Sequence, residues 1–260
     1  MNMANAPLAI ITGASSGIGL ELALLFAADG YELLLSARAS DRFTAATERV
    51  RSIAKAPVQT HADDLVDPQS ATRFIAALGG RVPDVLVNNA GFGTHGLFAE
   101  TDPQSQLDMI AVNISALVQL TRLVLPGMIA RGSGRILNVS SVAGFQSGPY
   151  MATYYASKAF VTSFSRAINY ELRRSGITVT ALCPGPTTTE FQARAGIADA
   201  PLFRNNTMSA SAVARIGYDA MLAGKPVVIS GFKNKLLAIG AKFAPAVYST
   251  RVAGRLNADR

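Results

Sequence analysis

Tyr154 and Lys158 stand four residues apart in Tyr154-Tyr155-Ala156-Ser157-Lys158, which opens an amphipathic stretch running to Arg173. Residues four apart share one face of a helix, so a phenol and an ammonium can project into the same space. A phenol titrates near 10 in water, and an adjacent cation lowers that value. Such a pair can serve as an acid or base near neutral pH. Ser141 lies upstream in Ile136-Leu137-Asn138-Val139-Ser140-Ser141, at the C-terminal end of an apolar run. Open parallel sheets bind ligands at such strand ends. The plain alternative is a surface Tyr and Lys that do no chemistry.

A second constellation is Thr12-Gly13-Ala14-Ser15-Ser16-Gly17-Ile18-Gly19, between an apolar run and the helical stretch Leu20 to Ala28. Strand, Gly-rich turn and helix make an anion site, because free amides and the positive end of the helix dipole face the turn. The spacing G-x-x-x-G-x-G differs from the commoner dinucleotide fingerprint, and no P-loop lysine follows. The same residues fit G-x-S-x-G, the nucleophile elbow of serine hydrolases, with Ser15 as nucleophile. That reading needs an acid and then a histidine later in the chain. The two histidines, His61 and His95, both precede the last 165 residues, so the hydrolase is the weaker alternative.

These residues need a scaffold, and the hydropathy pattern supplies one. Apolar runs near Leu8 to Thr12, Leu33 to Ser36, Val58 to His61, Val85 to Asn88, Arg135 to Val139, Thr178 to Cys183 and Val227 to Ser230 alternate with amphipathic stretches. Continuous Val, Ile and Leu runs are strands covered on both faces, and the alternation is that of βαβ units. The expectation is an α/β fold: one doubly wound Rossmann-type domain with a seven-stranded, mainly parallel sheet and helices on both faces. Gln104 to Ala130 carries Leu107, Ile110, Ile114, Leu117, Thr121 and Val124 at helical spacing, with Pro126 and Gly127 expected to kink or end it.

Composition narrows the class. The chain has 260 residues, 49% hydrophobic and 16% charged, which excludes intrinsic disorder. Its single cysteine, Cys183, excludes a disulfide framework and a multi-cysteine metal site, and no metal is expected. No stretch of about 20 residues is free of charge and proline, as a spanning helix would require. Met1 to Pro7 lacks the pattern of a signal peptide, so a cytoplasmic protein is expected. Of the net charge of +7, the segment from Ala220 onward carries +6 and the first 219 residues +1. A basic charge confined to the tail does not indicate a nucleic-acid surface.

In combination these features resemble the shorter-chain branch of the short-chain dehydrogenase/reductase family. The resemblance rests on Thr12 to Gly19, Asp64-Leu65, Asn88-Asn89-Ala90-Gly91, Asn113, Ser141, Tyr154 with Lys158, and Pro184-Gly185 with Thr189. It implies hydride transfer between a nicotinamide cofactor and a carbonyl or secondary alcohol. Tyr154 would be the general acid or base. Lys158 would bind the nicotinamide ribose and depress the Tyr154 pKa, Ser141 would hydrogen-bond the oxyanion, and Asn113 would order a water leading from Lys158. Tyr155 and Ser140 would face elsewhere.

For the cofactor, the resemblance assigns the pyrophosphate to Gly13, Ser15, Ser16, Ile18 and Gly19, adenine to Asp64 and Leu65, the ribose side to Asn89 and Gly91, and the carboxamide to Pro184, Gly185 and Thr189. The second strand ends Leu35-Ser36-Ala37-Arg38, with no acid for ribose hydroxyls and a cation for a phosphate, so NADP (as NADPH) is favoured over NAD. Ser16 stands where NADP-using relatives often carry a basic residue. The lid falls near 190–208. Phe92, Phe145, Gln146, Tyr150 and Phe191 are candidate walls of a pocket for a neutral, lipophilic substrate.

A catalytically weak dinucleotide-binding regulator is the non-enzyme alternative. A sugar-nucleotide epimerase would need a substantial separate domain. A homo-oligomer, dimer or tetramer, would pair through Gln104 to Ala130 and Tyr154 to Arg173. The catalytic domain is read as 1–231, with 232–260 a basic amphipathic extension on the same domain. In that extension Leu236, Ile239 and Phe243 form one stripe and Tyr248, Val252 and Leu256 another. The stripes either pack on the body or a second subunit, or contact an anionic membrane.

Overall fold

The computed structural model describes residues 6–197 and 207–258. Strands β1 (Leu8–Thr12), β2 (Glu32–Ala37), β3 (Val58–Ala62), β4 (Val85–Asn88), β5 (Gly134–Val139), β6 (Ile177–Cys183) and β9 (Val227–Ile229) form one parallel sheet in the order β3-β2-β1-β4-β5-β6-β9. The chain reverses its direction of travel between β1 and β4, and this switch point opens a crevice at the carboxyl ends of the strands. Helices α1 (Gly17–Ala28), α2 (Asp41–Arg51) and α8 (Ala210–Leu222) cover one face with Leu22, Phe26, Val213 and Tyr218. Helices α3 (Ser70–Ala76), α5 (Leu117–Arg131) and α6 (Ala152–Glu171) cover the other with Phe74, Leu120, Met128 and Ile168. The expected Rossmann-type architecture is the observed one.

Three details depart from the sequence reading. Helix α4 (Pro103–Ile110) passes into α5 through a π-helical turn, Ala111–Ala116. The extra residue of a π turn rotates everything before it relative to everything after. Leu107 and Ile110 are therefore exposed, whereas Leu117, Thr121 and Val124 are buried, and the single stripe read from the sequence is two. Pro126 does not end the helix, which runs to Arg131. Pro126 lies on the exposed face, as does Arg122, whose carbonyl it leaves without a donor, so water can satisfy that oxygen. Gly127 allows a close approach, since a Cβ there would sit 2.5 Å from Val82. Last, β7 (Thr187–Thr188) pairs with β8 (Met208–Ser209); strands of two residues leave no periodic signal.

Pro103–Arg131 is long and apolar enough to cross a membrane by length and composition, but it packs on the sheet through Leu120, Val124 and Met128. The short helix α7 (Phe191–Ala195) follows β7, and two tail helices, α9 (Phe232–Phe243) and α10 (Ala246–Asn257), follow β9. Of the 190–208 segment read as a lid, residues 198–206 lie outside the described residues.

Candidate active site

At the carboxyl edge of the sheet lies a cavity of about 930 Å³, lined from Gly13 and Arg38 at one end to Tyr154, Phe191 and the tail helices at the other. Its floor begins at α1. Ser40, Asp102 and Ser209 cap α2, α4 and α8 with side-chain oxygens, but Ser16 makes no such bond at α1. The first amides of α1 thus remain available to an anion. Gly13, at φ +68, lets the turn pass under β4, since a Cβ there would lie 2.8 Å from Ala90 Cα and Asn89 Nδ2. The turn is fastened by Thr12, whose Oγ1 accepts from the amides of Asn89 and Ala90 at 3.1 Å. Asn89 Nδ2 donates to Thr12 and Gly13 carbonyls at 3.0 Å. Asn89 therefore shapes the cradle, with its amide engaged by the turn.

Arg38 is exposed at the end of β2 and lines the cavity. Asp64 and Leu65 line it after β3. Asp64 Oδ1 accepts from Val66 N at 3.1 Å, and the Arg73 guanidinium holds the Asp63 carboxyl well below the carboxylate range. Thr189 lies over the Gly-rich turn: a Cβ on Gly17 would be 3.1 Å from its methyl. Ser15, Ser16, Ile18, Gly91, Pro184 and Gly185 also line the cavity.

At the catalytic end, Tyr154 projects from the first turn of α6 and Ser141 follows β5. Burial pushes the Tyr154 phenol above its ordinary value, and a hydrogen bond with Ser141 acts against that rise. Lys158 is buried, its amine pushed down to about 8 by desolvation. Its Nζ donates to the Val139 carbonyl at 3.0 Å and stands 5.7 Å from the centre of the Tyr154 ring. Burial is the largest influence on the phenol and favours its neutral form.

Asn113 is aimed by the π turn. Its Nδ2 donates to Phe92 O at 2.9 Å and Ser157 Oγ at 3.0 Å, and its Oδ1 accepts from Phe92 N at 3.1 Å. A Cβ on Gly91 would lie 3.0 Å from Asn113 Oδ1 and 3.3 Å from Lys158 Nζ, so glycine keeps the space between the two side chains open. The neighbours that could imitate the catalytic pair turn away. Tyr155 OH donates to Asn257 Oδ1 at 3.3 Å, and Ser140 Oγ to the Lys158 carbonyl at 2.8 Å. Cys183 is buried, its thiol pushed up to about 11 by desolvation.

Gln146, Phe92 and Phe191 line the cavity, but Phe145 and Tyr150 do not. The backbone leaves its 3-10 turn at Phe145 and becomes extended at Gln146, so Gln146 is the residue that reaches the cavity. Tyr150, at φ +66, stacks its ring toward His95 and lines a shallow groove behind α10. Neither histidine lines the cavity: His61 contacts Asp63, and His95 Nε2 donates to the Asn257 carbonyl at 2.6 Å. Ser15 thus has no histidine partner, and among the described residues no cluster could hold a metal. What sequence reasoning missed is the upper wall, built by Leu237, Gly240, Ala241, Tyr248, Val252 and Leu256. The Tyr248, Val252 and Leu256 stripe was visible in the sequence, but on α9 the wall is not the Leu236, Ile239 and Phe243 stripe, of which Ile239 and Phe243 lie outside the cavity.

Comparison with known proteins agrees with this geometry. A profile of short chain dehydrogenase matches residues 7–199. The Very-long-chain 3-oxoacyl-CoA reductase of Laccaria bicolor is 36% identical over 66% of this chain and 52% of its own. Dehydrogenase/reductase SDR family member 7B of Bos taurus is 30% identical over 96% and 82%. A short-chain dehydrogenase from Sphingobium yanoikuyae, solved in complex with NADPH, is 32% identical, with a TM-score of 0.82 over 90% of this chain and 92% of that one. With the uncapped helix, the glycine cradle and the tyrosine above it in one crevice, the chain belongs to the short-chain dehydrogenase/reductase family of nicotinamide-dependent oxidoreductases.

Proposed function

We propose that the protein is an NADP-dependent carbonyl reductase, working in reverse as an alcohol dehydrogenase, on a neutral and lipophilic small molecule. The observation that carries this reading is geometric: Tyr154 and Ser141 face one cavity, and Lys158 Nζ, bonded to the Val139 carbonyl, stands 5.7 Å from the centre of the Tyr154 ring. A neutral phenol placed there is a proton donor to a carbonyl oxygen. Ser141 supplies a second donor to the same oxygen and stabilises charge as it develops. Lys158, with Nζ between the Val139 carbonyl and the cradle, binds ribose hydroxyls. Asn113, held by Phe92 and Ser157, orders a water leading from Lys158. The cofactor, when bound, supplies the hydride.

The cradle fits a dinucleotide: the free amides of α1, the absence of side-chain volume at Gly13 and the length of the crevice from Arg38 to Tyr154 suit a long, doubly charged ligand. Gly13, Ser15, Ile18 and Gly19 bind its pyrophosphate, and Pro184, Gly185 and Thr189 its carboxamide end. Arg38 selects the additional phosphate of NADP. The test is nicotinamide absorbance with NADPH or NADH against a panel of ketones, quinones, aldehydes, hydroxysteroids and hydroxy acids. Substrate-dependent oxidation of NADPH supports the reading; cofactor binding with no turnover on any class supports the regulator instead.

The same reading makes the protein a homo-oligomer. Leu107, Ile110, Leu123 and Ile129 on α4 and α5, and Phe160 and Tyr170 on α6, are exposed. Two-fold pairing of these faces would bury them. Light scattering decides, a 27.2 kDa particle arguing against it.

A further inference from the structure

Helices α9 and α10, joined by the Ala244-Pro245 turn, form an arm fastened at its two far ends. At the start of α9, buried Asn234 donates to the Ser230 carbonyl at 2.7 Å, and its amide packs on Gly185, where a Cβ would overlap it. At the end of α10, buried Asn257 donates to the Pro149 carbonyl at 3.1 Å, bonds the Tyr155 hydroxyl and accepts from His95. Between these anchors Ala238 and Ala253 face inward. Leu237, Tyr248, Val252 and Leu256 line the cavity. Phe243 and Val247, flanking the Ala244-Pro245 turn, do not; they are 79% and 67% exposed, and Phe232 is exposed as well.

Soluble surfaces seldom show so many large apolar groups together, and here they are flanked by charge of one sign. From Phe232 to Asn257 the chain carries Lys233, Lys235, Lys242, Arg251 and Arg255 and no acidic residue. The cavity extends between the helices, lined by Leu237 and Ala241 on one side and Val252 and Leu256 on the other.

We infer that this arm docks on the surface of an anionic membrane, with Phe243 and Val247 in the lipid interface and the cations at the headgroups. A basic amphipathic element binds in this way because apolar burial and attraction to anionic lipid add. A second copy of the chain is a poorer occupant. Two-fold pairing places a patch against itself, so five cations would meet five with no acid to neutralise them. An anionic bilayer supplies the missing charge. The mouth of the cavity then opens toward lipid, and a lipophilic carbonyl compound can pass from bilayer to Tyr154 without crossing water. This last step rests on the carbonyl-reductase reading; the docking does not.

The experiment is co-sedimentation of the full chain with phosphatidylglycerol–phosphatidylcholine vesicles and with pure phosphatidylcholine vesicles, at low and high salt. Phe243→Glu/Val247→Glu is the test variant, because neither side chain lines the catalytic cavity. Circular dichroism and NADPH fluorescence confirm that it is folded and retains its cofactor site. Wild type is expected to bind mixed vesicles roughly tenfold or more tightly than neutral ones, since each basic residue near an anionic surface contributes about fivefold. High salt and the double substitution should each remove most of that binding. Absence of sedimentation at low salt overturns the proposal, as does equal, salt-insensitive binding to neutral vesicles. Light scattering in which the double variant dissociates an oligomer that never sediments would overturn it in favour of a subunit contact. Turnover enters none of these readouts, so failure of the docking and failure of the catalytic reading are separable.

Discussion

Beneath the cavity, Asn88 Nδ2 donates to Asn138 Oδ1 and Asn138 Nδ2 to Ser165 Oγ, each at 2.9 Å, so that β4, β5 and α6 are joined through buried polar groups. Above it, α9 and α10 are anchored by Asn234 and Asn257 and expose most of the apolar surface between. The floor carries Ser141, Tyr154 and Lys158, the groups proposed to act on the substrate, and the strands beneath them are covered on both faces. The rim carries no reacting group. It has few buried contacts, which is where local opening is least costly. Chemistry and admission of substrate are thus assigned to parts of different rigidity, and substitutions in the two parts should have different signatures.

The largest effect belongs to the floor. Tyr154→Phe removes only the transferable proton, and turnover should fall about 100 to 10,000-fold with NADPH affinity retained. Stopped-flow absorbance and fluorescence titration measure the two, and turnover within a few-fold of wild type would remove Tyr154 from its role. Next is Arg38→Asp at the far end of the same floor. A charge-assisted contact contributes about 1.5 to 3 kcal/mol, so NADPH should bind wild type roughly ten to a hundredfold more tightly than NADH, and the variant should reverse that order. Equal dissociation constants in the wild type would sink this assignment.

Lys158→Met tests whether the floor sacrifices stability for function. The Lys158 amine is pushed down to about 8 from an ordinary 10.5. Between those values the unfolded chain binds more protons than the folded one, so wild-type stability should rise with pH across this window. The penalty is fully present below about 8 and gone above about 10.5. The variant should lose turnover, lose this slope and gain up to about 3 kcal/mol near neutral pH, as read by denaturant unfolding at several pH values. A destabilised variant would mean that the Val139 hydrogen bond outweighs desolvation. The smallest effect belongs to the rim. Asn257→Ala leaves the Tyr155 hydroxyl and the Pro149 carbonyl without a partner, about 1 to 3 kcal/mol. Hydrogen exchange should accelerate across 246–257 and stay unchanged in 134–139. Equal acceleration in both would show that floor and rim open together.

Much of the floor was legible because its signals are local. Runs rich in Val, Ile and Leu mark every strand of the large sheet but the edge strand β3, Val-Gln-Thr-His-Ala, to within a residue or two, and the Gly13 to Gly19 turn lies where a strand meets a helix. Ser141, Tyr154 and Lys158 have types and spacings that mark them as candidates. Other features have no local signal. The π turn that aims Asn113 and divides the Leu107 to Val124 stripe is one residue of excess winding, invisible to a search for a single period. Pro126 reads as a helix end until its exposed face is known. Phe145, Gln146 and Tyr150 are equally plausible pocket residues until the backbone changes conformation among them.

The sequence by itself determined the order of strands and helices and the Gly-rich turn at the head of α1, because hydropathy period and glycine φ freedom act between near neighbours in the chain. Tertiary structure alone decided that the tail helices roof the cavity and end in an exposed apolar tip flanked by basic residues. Desolvation and pocket walls are set by what distant segments bring together: Asn257 reaches Tyr155 and Pro149 across a hundred residues and more, and no spacing along the chain records that meeting.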